Sequence, residues 1–571
     1  MATAFSVLAV LSNFFVLYLI LYLICSPLVF INKIVRNIIV SILFGFSQIL
    51  LYVDTVVFEQ YRFHINQSVL TLVLSGQVVD FSLATYGLVA LIFAVAFAVE
   101  MFFLTMIDRK ISASSGKKII VGSSIFTVIA LLITNIGYMI SFYYSYSPIM
   151  SVREYVPLYY PLTSKAIMGF FDKDGGKNRV KTISDYSKHL DYPLKNLVIN
   201  PNTQKPKNIM FLVVDSWRYD TFTKEISPNM YNFTQQQHGV AMSNHFSTGN
   251  ATRTGIFGMF YGIPGTYWDA FLSNSIPSLF ITTLQKENYN LGVFTSAKVT
   301  FPEFDRTVFA TVKNLRITSK GVTSPERDAQ LTKDWISWYK ARDTSRPTFS
   351  FLFYDAAHSY EFPANFTKFK PFGDLNYMTL KNDTDPMPLF NRYKNSVNYI
   401  DSVVQSVFDE LKASGTLDNT LIIMTGDHAQ EMNDNHMGFW GHNGNFTDAQ
   451  TKVPFIVIGA GDNAAALQQN ADKLTSHEDI VPTLMKHYLN VSNDTRDYST
   501  GYDMFTPLPE RPWLLMSNYS MWAVKTPDSI YQVNGVGVSH FMDKHNRDRD
   551  GQPNFKYVYD AMDEMRHFNK R

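Results

Sequence analysis

The sequence predicts an α-helical membrane bundle followed by an α/β domain with a mostly parallel central sheet. Two observations carry this. Residues 1 to about 145 are strongly apolar, although the mean hydropathy of the whole chain is −0.05. From Lys207 onward, short apolar runs rich in β-branched and aromatic residues alternate with helical patterns, as in a parallel sheet covered on both faces. At 571 residues the chain exceeds one ordinary domain. Boundaries are expected at 1–145 for the membrane part, 146–204 for an interfacial linker and 205–571 for the α/β part. A net charge of +1 with 17% charged residues excludes the basic excess of a nucleic-acid binder. The single cysteine, Cys25, excludes an intramolecular disulfide framework and a cysteine-rich metal site.

Four stretches, roughly 5–30, 37–58, 83–107 and 119–143, are long enough to cross a bilayer, which needs ~20 apolar residues. The first lacks a basic leader and is too long for the core of a signal peptide. Residues 68–79 are too short to span and are expected at the interface or re-entering. Lys33 and Arg36 lie between the first two spans; Arg109, Lys110, Lys117 and Lys118 lie between the last two. These basic loops belong in the cytoplasm, which puts both the N-terminus and everything past about 145 outside. That orientation leads us to expect a further span upstream of Met1, which N-terminal sequencing of the native protein checks.

The linker opens on Tyr155-Val156-Pro157-Leu158-Tyr159-Tyr160-Pro161-Leu162, followed by Lys165. Aromatics and a lysine beside a span suit the lipid headgroup layer. A short helix over about 163–171 is expected on the outer leaflet, with Lys165, Tyr159 and Tyr160 against lipid. A simple packing linker has the same composition.

In the α/β part, Asn208–Val214, Leu291–Thr295, Thr348–Tyr354, Thr420–Thr425 and Pro454–Ile458 read as buried strands, with helices over 325–341, 390–414 and 476–489. The chemistry-bearing residues follow strand ends, where α/β proteins collect ligands. Asp215 follows the first strand; it can hold a metal or cap the next helix. Asp427-His428 follows Thr420–Thr425 and suits a hard-to-borderline divalent cation such as Mn²⁺, Zn²⁺ or Mg²⁺. Ser247-Thr248-Gly249-Asn250-Ala251-Thr252 opens an apolar helix. A hydroxyl there is either an N-cap or a nucleophile whose adduct faces the helix N–H groups. His442, in a glycine-rich turn, and His358, beyond the strand ending at Tyr354, complete the series.

These residues resemble the alkaline phosphatase/sulfatase superfamily over about 205–505. The motifs are Asn208-Ile209 leading to Asp215, Arg392 to Asp401, Thr425-Gly-Asp-His, Gly441-His442, Lys452-Val-Pro-Phe and Ser476-His-Glu-Asp-Ile-Val-Pro-Thr-Leu. By similarity to its lipoteichoic acid synthase and phosphoethanolamine transferase branch, Asp215, Thr252, Asp427 and His428 would hold one divalent metal. Thr252 would be the nucleophile, and His358 and His442 would touch the phosphoryl group or hold a second ion. Asp215 stands where that branch usually has a glutamate. The formylglycine sulfatases need Cys or Ser with Pro and Arg two and four residues on; Asn250-Ala-Thr-Arg-Thr offers neither Cys nor Pro.

Across nearly the whole chain, Tyr61-Arg-Phe-His-Ile-Asn, Pro157-Leu-Tyr-Tyr-Pro-Leu-Thr, Gly255-Ile-Phe-Gly-Met-Phe-Tyr-Gly and Gly501-Tyr-Asp-Met-Phe resemble the PbgA/YejM family of Gram-negative inner-membrane proteins. That resemblance implies membrane lipids as partners, lipopolysaccharide or its lipid A among them, together with an inner-membrane adaptor protein. It also implies a non-catalytic sensor that regulates lipopolysaccharide synthesis. Two departures bear on this. Lys165-Ala166 replaces a pair of arginines, and one lysine cannot form their bidentate phosphate contacts. The Asp427-His428 pair, lost in the enterobacterial members, is kept here. Two readings therefore stand side by side: a periplasmic metal-dependent phosphohydrolase or phosphotransferase, and a lipopolysaccharide sensor.

Overall fold

The computed structural model describes residues 2–61, 64–65, 83–110, 113–144, 146–163, 167, 190–201, 205–374, 379–535 and 537–569. The segment 68–79, Lys165 and most of the helix expected over 163–171 lie outside these. The chain forms two compact units: 1–180 with 376–380 and 535–539, and 181–375 with 381–534 and 540–571.

The first unit contains four long helices: α1 (Ala2–Cys25), α2 (Lys33–Tyr61), α3 (Leu83–Lys110) and α4 (Ala113–Tyr143). All four are long and apolar enough to cross a membrane. α1 packs on α4, and α2 packs on α3. Polar groups tie the second pair: Gln48 Nε2 donates to Glu100 Oε1 at 2.5 Å, and Arg36 pairs with Asp108. Such bonds hold helices together where lipid offers no hydrophobic drive.

Beyond α4 the chain folds back. Ile149, Val152, Val156 and Tyr159 cluster with Phe5, Ala9 and Tyr138, and Asn13 Nδ2 donates to the Pro157 carbonyl at 2.8 Å. This corrects one expectation. Tyr159 is only 5% exposed, its ring edge-on to Tyr138, so it is a core residue rather than a lipid contact. Its neighbour Tyr160 is 71% exposed, with the Arg153 guanidinium 5.6 Å above its ring. Leu158, at φ 56°, turns the chain between Val156 and the tyrosines. Periodicity cannot decide which of two adjacent side chains faces inward at such a turn.

The second unit is built on six strands: β1 (Asn208–Val214), β2 (Val240–Met242), β3 (Asn290–Thr295), β4 (Thr348–Tyr354), β5 (Thr420–Gly426) and β6 (Phe455–Ile458). Their order is β2–β6–β5–β1–β4–β3. β1 lies centrally, parallel to β4 and β5, and β3 is parallel to β4. β6 is antiparallel to both β5 and β2, so it alone runs against the rest. Every residue of β1, β4 and β5 is buried, which is why these strands are continuous apolar runs.

Helices α5 (Thr252–Tyr261), α6 (Ser324–Ala341), α7 (Met387–Ala413) and α8 (Ile480–His487) belong to the same unit. α6 starts on a capping box between Thr323 and Glu326, with Pro325 in its first turn. α8 begins four residues later than its pattern suggests, because Ser476 and Asp479 cap a tight 3₁₀ turn ahead of it. A four-stranded sheet follows, antiparallel from its first to its third strand: β7 (Leu514–Ser517), β8 (Trp522–Lys525), β9 (Ser529–Val533) and β10 (Ser539–Asp543).

Candidate metal centre

The carboxyl ends of β1 and β5 are neighbours in the sheet, so Asp215 and Asp427 leave it side by side. Asp215 extends the β1–β4 ladder by one bond, its N–H donating to the Tyr354 carbonyl at 2.9 Å. The next residue, Ser216, has φ 62°. That left-handed turn, uncommon outside glycine, aims the Ser216 N–H at Asp427 Oδ1, 3.0 Å away. The His428 N–H donates to the same oxygen at 2.9 Å. Asp427 Oδ2 is buried and accepts no hydrogen bond among the described residues.

His428 Nδ1–H donates to the Ala429 carbonyl at 2.9 Å, which leaves the Nε2 lone pair free. Nε2 lies 3.5 Å from Asp427 Oδ2 and 3.7 Å from Asp215 Oδ1. The three side chains are buried, and one donor atom from each lies within 4.8 Å of the others.

Thr252 comes to the same place from α5. The helix is capped at Ala251, and the Thr252 hydroxyl makes no capping bond; it is 3.2 Å from His428 Nε2. The close approach depends on Gly255, where a Cβ would stand 2.0 Å from the Asp427 carbonyl oxygen. Gly426 serves Trp217 in the same way: a Cβ there would be 2.8 Å from Trp217 Cβ.

Burial holds the Asp215 carboxyl well above the usual carboxylate range, and Asp427 and then Asp355 add to the effect. Burial also pulls His428 down, against the pull of Asp427. Two buried carboxylates, one of them with an orphaned oxygen, and an imidazole lone pair therefore converge. This mixed oxygen and nitrogen donor set fits Mn²⁺, Zn²⁺ or Mg²⁺.

The chain is similar to several known proteins. The C-terminal periplasmic domain of phosphoethanolamine transferase EptC from Campylobacter jejuni, a solved structure, is similar with a TM-score of 0.44 and 19% identity, over 54% of this chain and 97% of that one. An uncharacterised protein of Haemophilus influenzae is 28% identical over 93% of this chain and 83% of its own length. The family model described as Sulfatase matches residues 207–491, and one described as a domain of unknown function matches 1–199. Inner membrane protein YejM of Salmonella typhimurium is 25% identical over 99% of this chain and 91% of its own. Along nearly its whole length the chain is therefore similar to YejM-type, sulfatase-like inner-membrane proteins. It carries four helices long and apolar enough to cross a membrane, followed by a sulfatase-like domain, and resembles an inner-membrane protein throughout.

The two further histidines of the sequence series also reach the centre. The His442 ring centroid is 4.3 Å from that of His428 and 5.3 Å from that of His358. His442 Nδ1–H donates to Gln430 Oε1 at 2.8 Å, and Gln430 Nε2 donates to the Tyr360 hydroxyl at 2.7 Å. Burial, with His428 and His358 beside it, holds His442 well below the ordinary histidine range. It is therefore a neutral imidazole with its lone pair on Nε2. His358 Nδ1 is 3.7 Å from Asp355 Oδ1, and Asp355 Oδ2 accepts from Ser324 Oγ at 2.9 Å and Arg327 Nη2 at 3.1 Å.

Several contributors are not among the site residues expected from the sequence. Behind the centre, the Thr475 hydroxyl donates to His245 Nδ1 at 2.9 Å, and His245 Nε2–H donates to His477 Nδ1 at 3.0 Å. His477 Nε2–H then donates to the Gly426 carbonyl at 2.9 Å, next to Asp427. From the four-stranded sheet, the Ser517 N–H donates to the Thr248 carbonyl at 3.0 Å and Thr254 Oγ1 donates to the Ser517 carbonyl at 3.0 Å. Gln430, two residues past His428, was the one contributor within reach of a local reading.

Gln430→Leu is expected to cut turnover by ~10–100-fold, the usual effect of removing a partner that orients a site imidazole. Tyr360→Phe, one bond further out, is expected to cost less. Steady-state kinetics on both variants checks the order.

Proposed function

We propose that the periplasmic domain is a metal-dependent phosphohydrolase or phosphotransferase with Thr252 as nucleophile, acting on phosphorylated lipids or glycans of the envelope. The observation that carries this is the convergence of Thr252 Oγ1, His428 Nε2 and the orphaned Asp427 Oδ2 at the start of α5. Asp215, Asp427 and His428 would hold the metal with Thr252, and a bound divalent ion supplies Lewis acidity that lowers the hydroxyl pKa and polarises phosphoryl oxygens. Thr252 Oγ loses its proton to solvent and attacks phosphorus at the N-terminus of α5, whose first-turn N–H groups favour the anion. The bond from phosphorus to the leaving oxygen breaks, and His358, held beside Asp355, gives that oxygen a proton. Water, or an acceptor alcohol, then attacks phospho-Thr252. Its proton passes to the His442 Nε2 lone pair as the bond to Thr252 Oγ breaks. The lack of the formylglycine motif at 250–254 sets sulfate-ester hydrolysis aside.

The purified full chain is expected to hydrolyse a chromogenic phosphate ester with Mn²⁺ or Zn²⁺. Thr252→Ala and Asp427→Ala should each lower the rate by at least ~10³-fold, as loss of a nucleophile or its activating group does. Unchanged rates in both sink the reading.

The exposed Tyr160 ring beneath Arg153 favours a second role, in which the segment after α4 reads lipopolysaccharide or its lipid A and signals through a membrane adaptor. Complementation separates the two. If Thr252→Ala and Asp427→Ala restore envelope integrity while Arg153→Ala or Tyr160→Ala does not, sensing is the physiological role.

A further inference from the structure

A cleft of about 420 Å³ opens in the periplasmic unit beside Pro264, near the far end of α5 from Thr252. Its walls include Tyr502, Trp513 and Tyr557, and Glu478 and Thr500 line it from positions that are themselves buried. We propose that this cleft is a second ligand site, which binds a small organic amine through its ammonium group.

Glu478 carries the argument. It is 5% exposed, and Thr500 Oγ1 donates to its Oε2 at 2.6 Å. Its Oε1 accepts no hydrogen bond among the described residues, yet Glu478 lines the cleft. Arg511 lines the cleft and its charge attracts Glu478, but its hydrogen bonds go elsewhere: Nη1 donates to both Asp479 oxygens, at 3.1 and 2.9 Å, and the guanidinium stacks over Tyr502. Burial pushes Glu478 up to about 7 in spite of the pull of Arg511. A largely buried carboxylate whose free oxygen is open to the cleft favours a cation there.

The other carboxylates of the cleft do not compete for the ligand. Asp560 pairs with Lys556 at 2.8 Å, Glu564 with Arg496 at 2.9 Å, and Asp563 with Arg566. Glu510, exposed on the rim, has no ion pair among the described residues and adds to the negative potential. A metal ion would need several converging oxygens, whereas the two unpaired carboxylates here are one buried and one exposed on the rim. Aromatic walls beside a buried carboxylate suit an ammonium group instead. The site is independent of the phosphoryl chemistry, since none of its residues touches the metal centre.

The test is calorimetric titration of the full chain in detergent micelles with putrescine, using 1,4-butanediol as the uncharged analogue. Saturable putrescine binding is expected, weakened at least ~tenfold by Glu478→Gln and by Trp513→Ala and unchanged by Thr252→Ala. Glu510→Gln, on the exposed rim, tests the same charge without disturbing the buried residue and should weaken binding several-fold. Competition by a short-chain phosphatidylethanolamine, but not by the matching phosphatidylglycerol, assigns the ammonium to a lipid headgroup; no competition assigns it to a free amine. Absence of saturable binding, equal binding of butanediol, or unchanged affinity in all three cleft variants overturns the proposal.

Discussion

Gly255→Ala is expected to abolish most of the metal-dependent turnover and to lower the melting temperature of the periplasmic unit. The added Cβ would lie 2.0 Å from the Asp427 carbonyl oxygen, 2.8 Å from the Asp427 carbonyl carbon and 3.0 Å from Ser247 Oγ. The nearest two atoms are backbone, and Ser247 Oγ–H is itself bonded to that carbonyl at 2.5 Å, so no flexible side chain can relieve the contact. Either α5 withdraws or the Asp427 loop does. Both movements lengthen the 3.2 Å approach of Thr252 Oγ1 to His428 Nε2. A misplacement of ~1 Å at a reacting group costs about 10²-fold in rate. The strain itself costs ~1–3 kcal/mol or more, a fall of several degrees for a unit of this size. Gly373→Ala is the control, because the nearest heavy atom to its added Cβ is 3.9 Å away. Parallel assays and thermal melts of the two variants settle it: wild-type turnover in Gly255→Ala contradicts the geometry.

How much of this could be read from residues alone follows from how each element is buried. β1, β4 and β5 are covered on both faces, so their sequences are unbroken apolar runs that stop sharply at polar residues, and their limits were legible almost to the residue. Asp215 and the Asp427-His428 pair stood out because each follows such a stop. β2, three residues with an exposed middle position, has too little pattern to register. The strands of the four-stranded sheet are four or five residues long, and β8 includes a buried lysine, Lys525, paired with Asp448. Such strands look like loops until their partners are known. In the site, the Thr252 hydroxyl could not be told from an N-cap, because the distinction rests on Ala251 taking the capping position. The His245–His477 relay and the docking of Ser517 join residues more than 230 positions apart, which no local pattern encodes.

Stripping divalent metal is expected to destabilise the periplasmic unit, and by more at pH 8 than at pH 5. Without a cation, the Asp215 carboxyl is held above its ordinary range by burial, then by Asp427 and Asp355. A group raised in the folded state contributes stability that is fully present below its unfolded pKa, ~3.9 for Asp. That contribution is lost as pH rises through the folded value. The metal-free fold therefore carries an uncompensated buried charge at alkaline pH and a proton in its place at acid pH. A divalent ion needs the carboxylates ionised and the imidazole neutral, so it meets more proton competition on Asp215 at pH 5 than at pH 8. His428, pulled down by burial, competes for protons less than a free imidazole, so the dependence follows mainly from the carboxylates. At a metal concentration ~100 times the dissociation constant, binding stabilises by about 2.7 kcal/mol, a few degrees in melting temperature. Differential scanning of the full chain with chelator or Mn²⁺ at both pH values measures this directly. Asp427→Asn should erase the metal-induced shift at both. A shift as large at pH 5 as at pH 8 would mean that the cation sits elsewhere than between Asp215 and Asp427.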